Sequence, residues 1–232
     1  DKKGNLLEET DESGKKTIRK YDQDNQLIEE TAPGGAVRKF EYDPAGNRTS
    51  AIDPSGAGTT FIYNAAGRLV ETRDPLNNAT LFEYDISGNQ TAIVEPGGVR
   101  TVYTYDALGR LTGQTGPDGI STSYFYDALG RQTKASDASG AVLYTYDAAG
   151  RLEKTTDQQG KHTTYSYDPA GNLTSVTDPQ GNTTRTEYDE LGRVTAVIDA
   201  AGNRTVYTLD AAGGVLSVED PLGRSSSNSY DP

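Results

Sequence analysis

The chain has 232 residues and a formal charge of −12, with 33% hydrophobic residues and no Trp, Met or Cys. So little apolar material excludes a thick-cored globule. The charge disfavours nucleic acid and anionic membranes as partners, and the missing thiols exclude disulfides and thiolate metal sites. No segment approaches the ~18 apolar residues of a membrane helix, so no membrane insertion is expected.

The elements recur with a fixed period. A Tyr position falls at 21, 42, 63, 84, 105, 126, 146, 167, 188, 209 and 230, with Leu209 in place of Tyr. Nine of the ten steps are 21 residues and one is 20, which marks a repeat architecture and argues against disorder. Each repeat holds two turn tetrads. The first begins at Asp1, Asp22, Asp43, Asn64, Asp85, Asp106, Asp127, Asp147, Asp168, Asp189 and Asp210. The second begins at Asp11, Ala32, Asp53, Asp74, Glu95, Gly116, Asp137, Asp157, Asp178, Asp199 and Asp220. The fourth residue is Gly except at Asn25 and Asn77, and every Pro takes the second place. In Asp-Pro-x-Gly the Asp accepts bonds from the turn backbone and Pro pre-sets φ. Gly then takes a positive φ and closes a hairpin.

Between turns lie six or seven residues rich in Thr, Val, Tyr and Phe, which read as strands. Gly or Pro interrupts every window long enough for a helix. The predicted fold is all-β: an antiparallel meander of short hairpins, one array over 1–232 of about eleven repeats, incomplete at both ends. At ~4.8 Å per strand, 22 strands would span on the order of 105 Å, so the ribbon is expected to curl or spiral. Tyr and the residue two before it share a face, and that residue is aromatic at Phe40, Phe61, Phe82, Tyr103, Tyr124, Tyr144, Tyr165 and Tyr207. With Gly as the bulge residue, each Tyr faces the residue six places on: Leu27, Leu69, Leu111, Leu152, Leu173 or Val194. The same register sets Asp106 against Arg110, Asp127 against Arg131 and Asp189 against Arg193.

These residues resemble the Rhs/YD-repeat family of bacterial Rhs toxins, cocoon-forming Tc toxin subunits, wall-associated repeat proteins and teneurins. The motif is Tyr-Asp-x-x-Gly-Arg-Leu followed by Asp-Pro-x-Gly. Its bearers here are Tyr42, Asp43 and Gly46; Tyr105, Asp106, Gly109 and Arg110; Tyr126, Asp127, Gly130 and Arg131; Tyr146, Asp147, Gly150 and Arg151; and Tyr188, Asp189, Gly192 and Arg193. The resemblance implies a hairpin strip that spirals into a hollow shell. In the toxin members the shell encloses a C-terminal toxic polypeptide; in teneurins it is an adhesive extracellular module. Asn64, Leu209 and Gly214 depart from the motif.

No catalytic constellation accompanies the many Ser and Thr. His162, the single His, reads as an exposed strand residue. The turn aspartates lie at alternate edges, too dispersed to gather the six to eight oxygens of a calcium site. Asp220 to Gly223 matches a family self-cleavage motif in letters but falls at an ordinary second turn. The Asn-x-Thr sequons at Asn47, Asn78, Asn89, Asn172, Asn182 and Asn203 follow the repeat template. The expected function is a non-enzymatic wall segment, secreted or at a cell surface, without cofactors. Its partners are neighbouring repeats and an enclosed toxin polypeptide. The alternatives are a glycan-binding or adhesive surface, or an open tube or fibre. The short repeat loses one residue between Gly140 and Tyr146. The loss is expected to be absorbed at the 137–140 turn, with the aromatic stripe running on unbroken.

Overall fold

A computed structural model describes residues 1–228; the Tyr position at 230 and Pro232 lie outside them. The described residues contain no helix. They form 22 strands in two compact units, the first Asp1–Ser121 and the second beginning at Thr122. The first holds β1 (Glu8–Thr10), β2 (Lys16–Tyr21), β3 (Leu27–Thr31), β4 (Val37–Tyr42), β5 (Arg48–Ile52), β6 (Gly58–Tyr63), β7 (Leu69–Arg73), β8 (Ala79–Tyr84), β9 (Gln90–Glu95), β10 (Val99–Tyr105) and β11 (Leu111–Thr115). The second takes most of β12 (Ser121–Tyr126), then β13 (Gln132–Asp137), β14 (Gly140–Tyr146), β15 (Leu152–Thr156), β16 (His162–Tyr167), β17 (Leu173–Thr177), β18 (Thr183–Tyr188), β19 (Val194–Ile198), β20 (Arg204–Leu209), β21 (Val215–Glu219) and β22 (Ser225–Ser227).

Within each unit every strand packs only on the strands before and after it. All these pairings are antiparallel, so each unit is a meander with no second layer. Three described residues are buried, Ser50, Ala92 and Ala196. Turn chemistry and cross-strand pairs therefore hold the fold in place of a core.

The two kinds of hairpin differ. In the second-turn hairpins the register runs straight, as in Ser50↔Thr60, Ala51↔Thr59 and Ile52↔Gly58. In the first-turn hairpins it slips by one residue beside Tyr: Thr145 faces Lys154 while Tyr146 faces Leu152, leaving Glu153 as an extra residue. The slip recurs at Tyr21, Tyr63, Tyr105, Tyr126, Tyr167 and Tyr188. An extra residue on one strand bends it and raises its twist, and here the bend falls at the same place in each hairpin.

The expected cross-turn partners meet. Tyr21, Tyr63, Tyr105, Tyr146, Tyr167 and Tyr188 face Leu27, Leu69, Leu111, Leu152, Leu173 and Val194. Asn25 and Asn77, at the two turns without a fourth Gly, have φ of 65° and 64°.

The short repeat is absorbed at its second turn. Asp137 pairs directly with Gly140, leaving only Ala138 and Ser139 as the loop. Gly140 has opened to φ 143°, against 84° for Gly150. The stripe is kept: Tyr124 faces Ala135, Ala135 faces Val142, and Val142 is two residues before Tyr144 on the same face.

The opposite face carries a different device. Ala92 lies between Glu83 and Val102, and Arg100 reaches back over it to Glu83 with contacts of 2.6 and 2.7 Å. Ala196 lies likewise between Glu187 and Val206, beneath an Arg204–Glu187 pair at 2.6 Å. A methyl side chain in the middle strand lets the two long side chains close over it, and both alanines are 0% exposed.

Candidate functional site

Each motif residue has a defined partner. The repeat around Tyr146 serves as the example. The Asp147 N–H donates to the Arg151 carbonyl and the Gly150 N–H to the Asp147 carbonyl, both at 2.9 Å. Asp147 Oδ1 accepts the Arg151 N–H at 2.9 Å, and Oδ2 accepts Arg151 Nε at 2.7 Å. One carboxylate thus closes the turn and aligns the guanidinium. Asp106–Arg110, Asp127–Arg131 and Asp189–Arg193 repeat the arrangement at 2.6, 2.7 and 2.7 Å. Where Asn follows the Gly, the amide replaces Arg: Asn47 Nδ2 donates to Asp43 Oδ2 at 2.9 Å.

These bonds set the carboxylate titration. The side-chain bond from Asn47 lowers the Asp43 pKa, and the Asn89, Asn172 and Asn182 side chains lower Asp85, Asp168 and Asp178. At Asp127, Asp147 and Asp189 the largest cause of lowering is the backbone N–H of Arg131, Arg151 or Arg193.

The same residues also bind the next hairpin. The Tyr42 hydroxyl donates to the Leu27 carbonyl at 2.9 Å, Tyr105 to Gln90 at 2.8 Å, and Tyr188 to Leu173 at 2.9 Å. The acceptor lies 15 residues back, at the bulge of the preceding hairpin. In the short repeat it lies 14 back, where Tyr146 reaches Gln132 at 2.8 Å. The arginines run the other way. Arg131 stacks over the Tyr146 ring at 4.6 Å and Arg151 over Tyr167 at 4.7 Å. Arg151 Nη1 also donates to the Asp168 carbonyl at 3.0 Å. Tyr, Asp and Arg therefore form one lattice that joins successive hairpins.

The sequence pattern brings Tyr to Leu and Asp to Arg; the hydroxyl latch and the Arg–Tyr stack join separate hairpins and lie outside that pattern. Their signal was a Tyr and an Arg recurring in step, each with a polar group left over once the turn was closed. Asn64 departs from the motif without losing its cap, since Oδ1 accepts the Ala66 and Arg68 N–H groups at 3.0 Å. Asp220 is an ordinary cap, accepting Leu222 N and Arg224 N at 2.9 Å. His162 faces Thr156, on the side away from Tyr165 and Tyr167. No group of three His, Cys, Asp or Glu among the described residues is placed to hold a metal.

Within each unit, a single layer of hairpins latched by Tyr, and by Arg where the motif carries it, defines a β-hairpin repeat protein. The RHS repeat family matches residues 21–57, 63–101, 87–122, 105–142, 126–161, 146–184, 167–204 and 188–225, and the chain belongs to that family. Its fold is similar to the crystal structure of TcdB2-TccC3-Cdc42, with TM-score 0.76 and 18% identity over 94% of this chain and 13% of that one. TcdB2-TccC3 alone gives 0.76 and 18% over 94% and 14%. TcdB2-TccC3 without its hypervariable C-terminal region gives 0.76 and 17% over 94% and 13%. The chain thus spans about an eighth of the chains it resembles. No curated protein matches it.

Proposed function

We propose that the chain is a non-enzymatic structural segment, part of the wall of a YD-repeat shell in a large secreted or cell-surface protein. The observation that carries this reading is the lattice itself. The distinctive side chains of each motif are directed at the turn or at the neighbouring hairpin, which suits a scaffold. The partners are neighbouring repeats and an enclosed toxin polypeptide, and the mechanism is containment. Backbone ladders and turn caps fix the wall, and a weakly apolar face adjoins cargo without a strong binding patch.

The test is limited proteolysis of the whole gene product. Containment requires that a segment outside the repeats resist protease while the repeats are folded and become sensitive once they are denatured. Equal digestion in both states would remove the containment role. Micromolar binding of the folded repeats to a glycan array would put an adhesive surface in its place.

A further inference from the structure

Among the described residues, the Tyr–Arg lattice has a vacant rung at Arg193. In the second unit Arg131 and Arg151 each carry a Tyr ring from the next repeat, Tyr146 and Tyr167. The corresponding position above Arg193 is Leu209, which has neither ring nor hydroxyl, and Gly214 stands where a motif Arg would. A notch of about 290 Å³ opens there, lined by Arg193, Val194, Tyr207, Leu209, Gly213 and Val215.

The polar groups of a ring site are nonetheless in place. Arg193 is pinned by Nε to Asp189 Oδ2 at 2.7 Å and by Nη1 to the Asp210 carbonyl at 2.9 Å. These are the bonds Arg151 makes to Asp147 and Asp168 beneath Tyr167. Its in-plane donors are largely committed and its charge is partnered, so the guanidinium offers a flat face more than an anion site. The hydroxyl acceptor is also present. Outside the short repeat the latch carbonyl lies 15 residues before the Tyr, as Leu152 does for Tyr167 and Leu173 for Tyr188. For position 209 it belongs to Val194, on the notch wall.

We propose that this notch binds a phenol ring. The ring stacks on the Arg193 guanidinium between Tyr207, Leu209 and Val215, and its hydroxyl donates to the Val194 carbonyl. A tyrosine side chain of another polypeptide and a free small phenol share this chemistry. The inference does not depend on the containment role.

The test is an NMR titration of the 232-residue chain with p-cresol. Saturable shifts are expected at Val194, Leu209, Val215 and the Arg193 side chain. Toluene, which lacks the hydroxyl, should bind roughly 3- to 10-fold more weakly, the worth of one neutral hydrogen bond. Leu209→Tyr fills the notch from within. It should abolish the shifts and raise the melting temperature, which separates occupancy from misfolding. Tyr167→Leu should create a second set of saturable shifts at Arg151 and Leu152. N-acetyltyrosinamide distinguishes the sources. Binding comparable to p-cresol indicates a peptide tyrosine, and its exclusion indicates small phenols. The proposal is overturned by unsaturable shifts at Val194, or by p-cresol binding equally to a folded Leu209→Tyr variant.

Discussion

At the scale of single residues, a motif Tyr that follows a repeat bearing the motif Arg does three things at once. Its ring covers the Leu across the turn, lies under the preceding Arg, and sends a hydroxyl to the preceding hairpin. Tyr167 has all three: Leu173 in register, Arg151 at 4.7 Å, and the Leu152 carbonyl at 3.0 Å. Tyr167→Phe keeps the first two and removes the third. Urea denaturation should show a loss of about 0.5–1.5 kcal/mol, the net worth of one hydrogen bond. Tyr167→Leu removes the stack as well and should cost more, by about 0.5–1 kcal/mol for a cation–π contact at a partly exposed site. Equal losses would mean that the guanidinium contributes nothing to the ring. The Asp residues show that the cap depends on where a carboxylate can reach. In the tetrad that begins with Gly116, Asp118 at the third place accepts the Ile120 N–H at 2.9 Å.

At the scale of elements, the turns fix the register. Gly160 has φ 79° with open space where a Cβ would stand, so a substitution there measures backbone strain alone. Gly160→Ala should cost roughly 1–2 kcal/mol in chemical denaturation. Gly160→Asn should cost distinctly less, because Asn25 and Asn77 already occupy this conformation. Equal costs would show that the turn does not require the left-handed conformation. Turns and strands were legible in the sequence because their determinants are local: a tetrad names its own turn, and two tetrads bound a strand. The Tyr–Leu and Asp–Arg pairs were legible because they lie within one hairpin. The latch from Tyr188 to Leu173 was not, since it requires knowing how the next hairpin lies alongside and where a bulge turns a carbonyl outward. The vacant rung at Leu209 was visible as a departure, but its meaning depended on that lattice.

At the scale of the whole molecule, stability is spread over many small, neighbour-to-neighbour terms instead of a core. A factor repeated in most hairpins therefore acts on the whole chain, and the turn carboxylate is such a factor. Asp43, Asp85, Asp127, Asp147, Asp168, Asp178 and Asp189 all have folded pKa values below their ordinary 3.8. A depressed carboxylate stabilises the fold fully above its unfolded value, and that stability is lost as pH falls toward and through the folded value. The formal charge of −12 acts in the opposite sense, because protonation relieves repulsion. Distance decides between the two. Successive caps on one edge are two strands apart, about 9.6 Å, beyond the Debye length of about 8 Å at 0.15 M salt. Asp147 Oδ1 lies 2.9 Å from the Arg151 N–H it accepts. At that ionic strength the urea midpoint should be flat from about pH 7 to 5 and fall steeply below about pH 4, near the unfolded carboxylate value. Asn64 shows that a neutral amide can make the same backbone bonds. Converting several caps to Asn, beginning with Asp147→Asn and Asp189→Asn, should lower the midpoint at pH 7 and flatten its fall in acid. A midpoint that holds to pH 3 in the parent chain, or falls equally in the substituted one, would show that the caps do not set the acid limit.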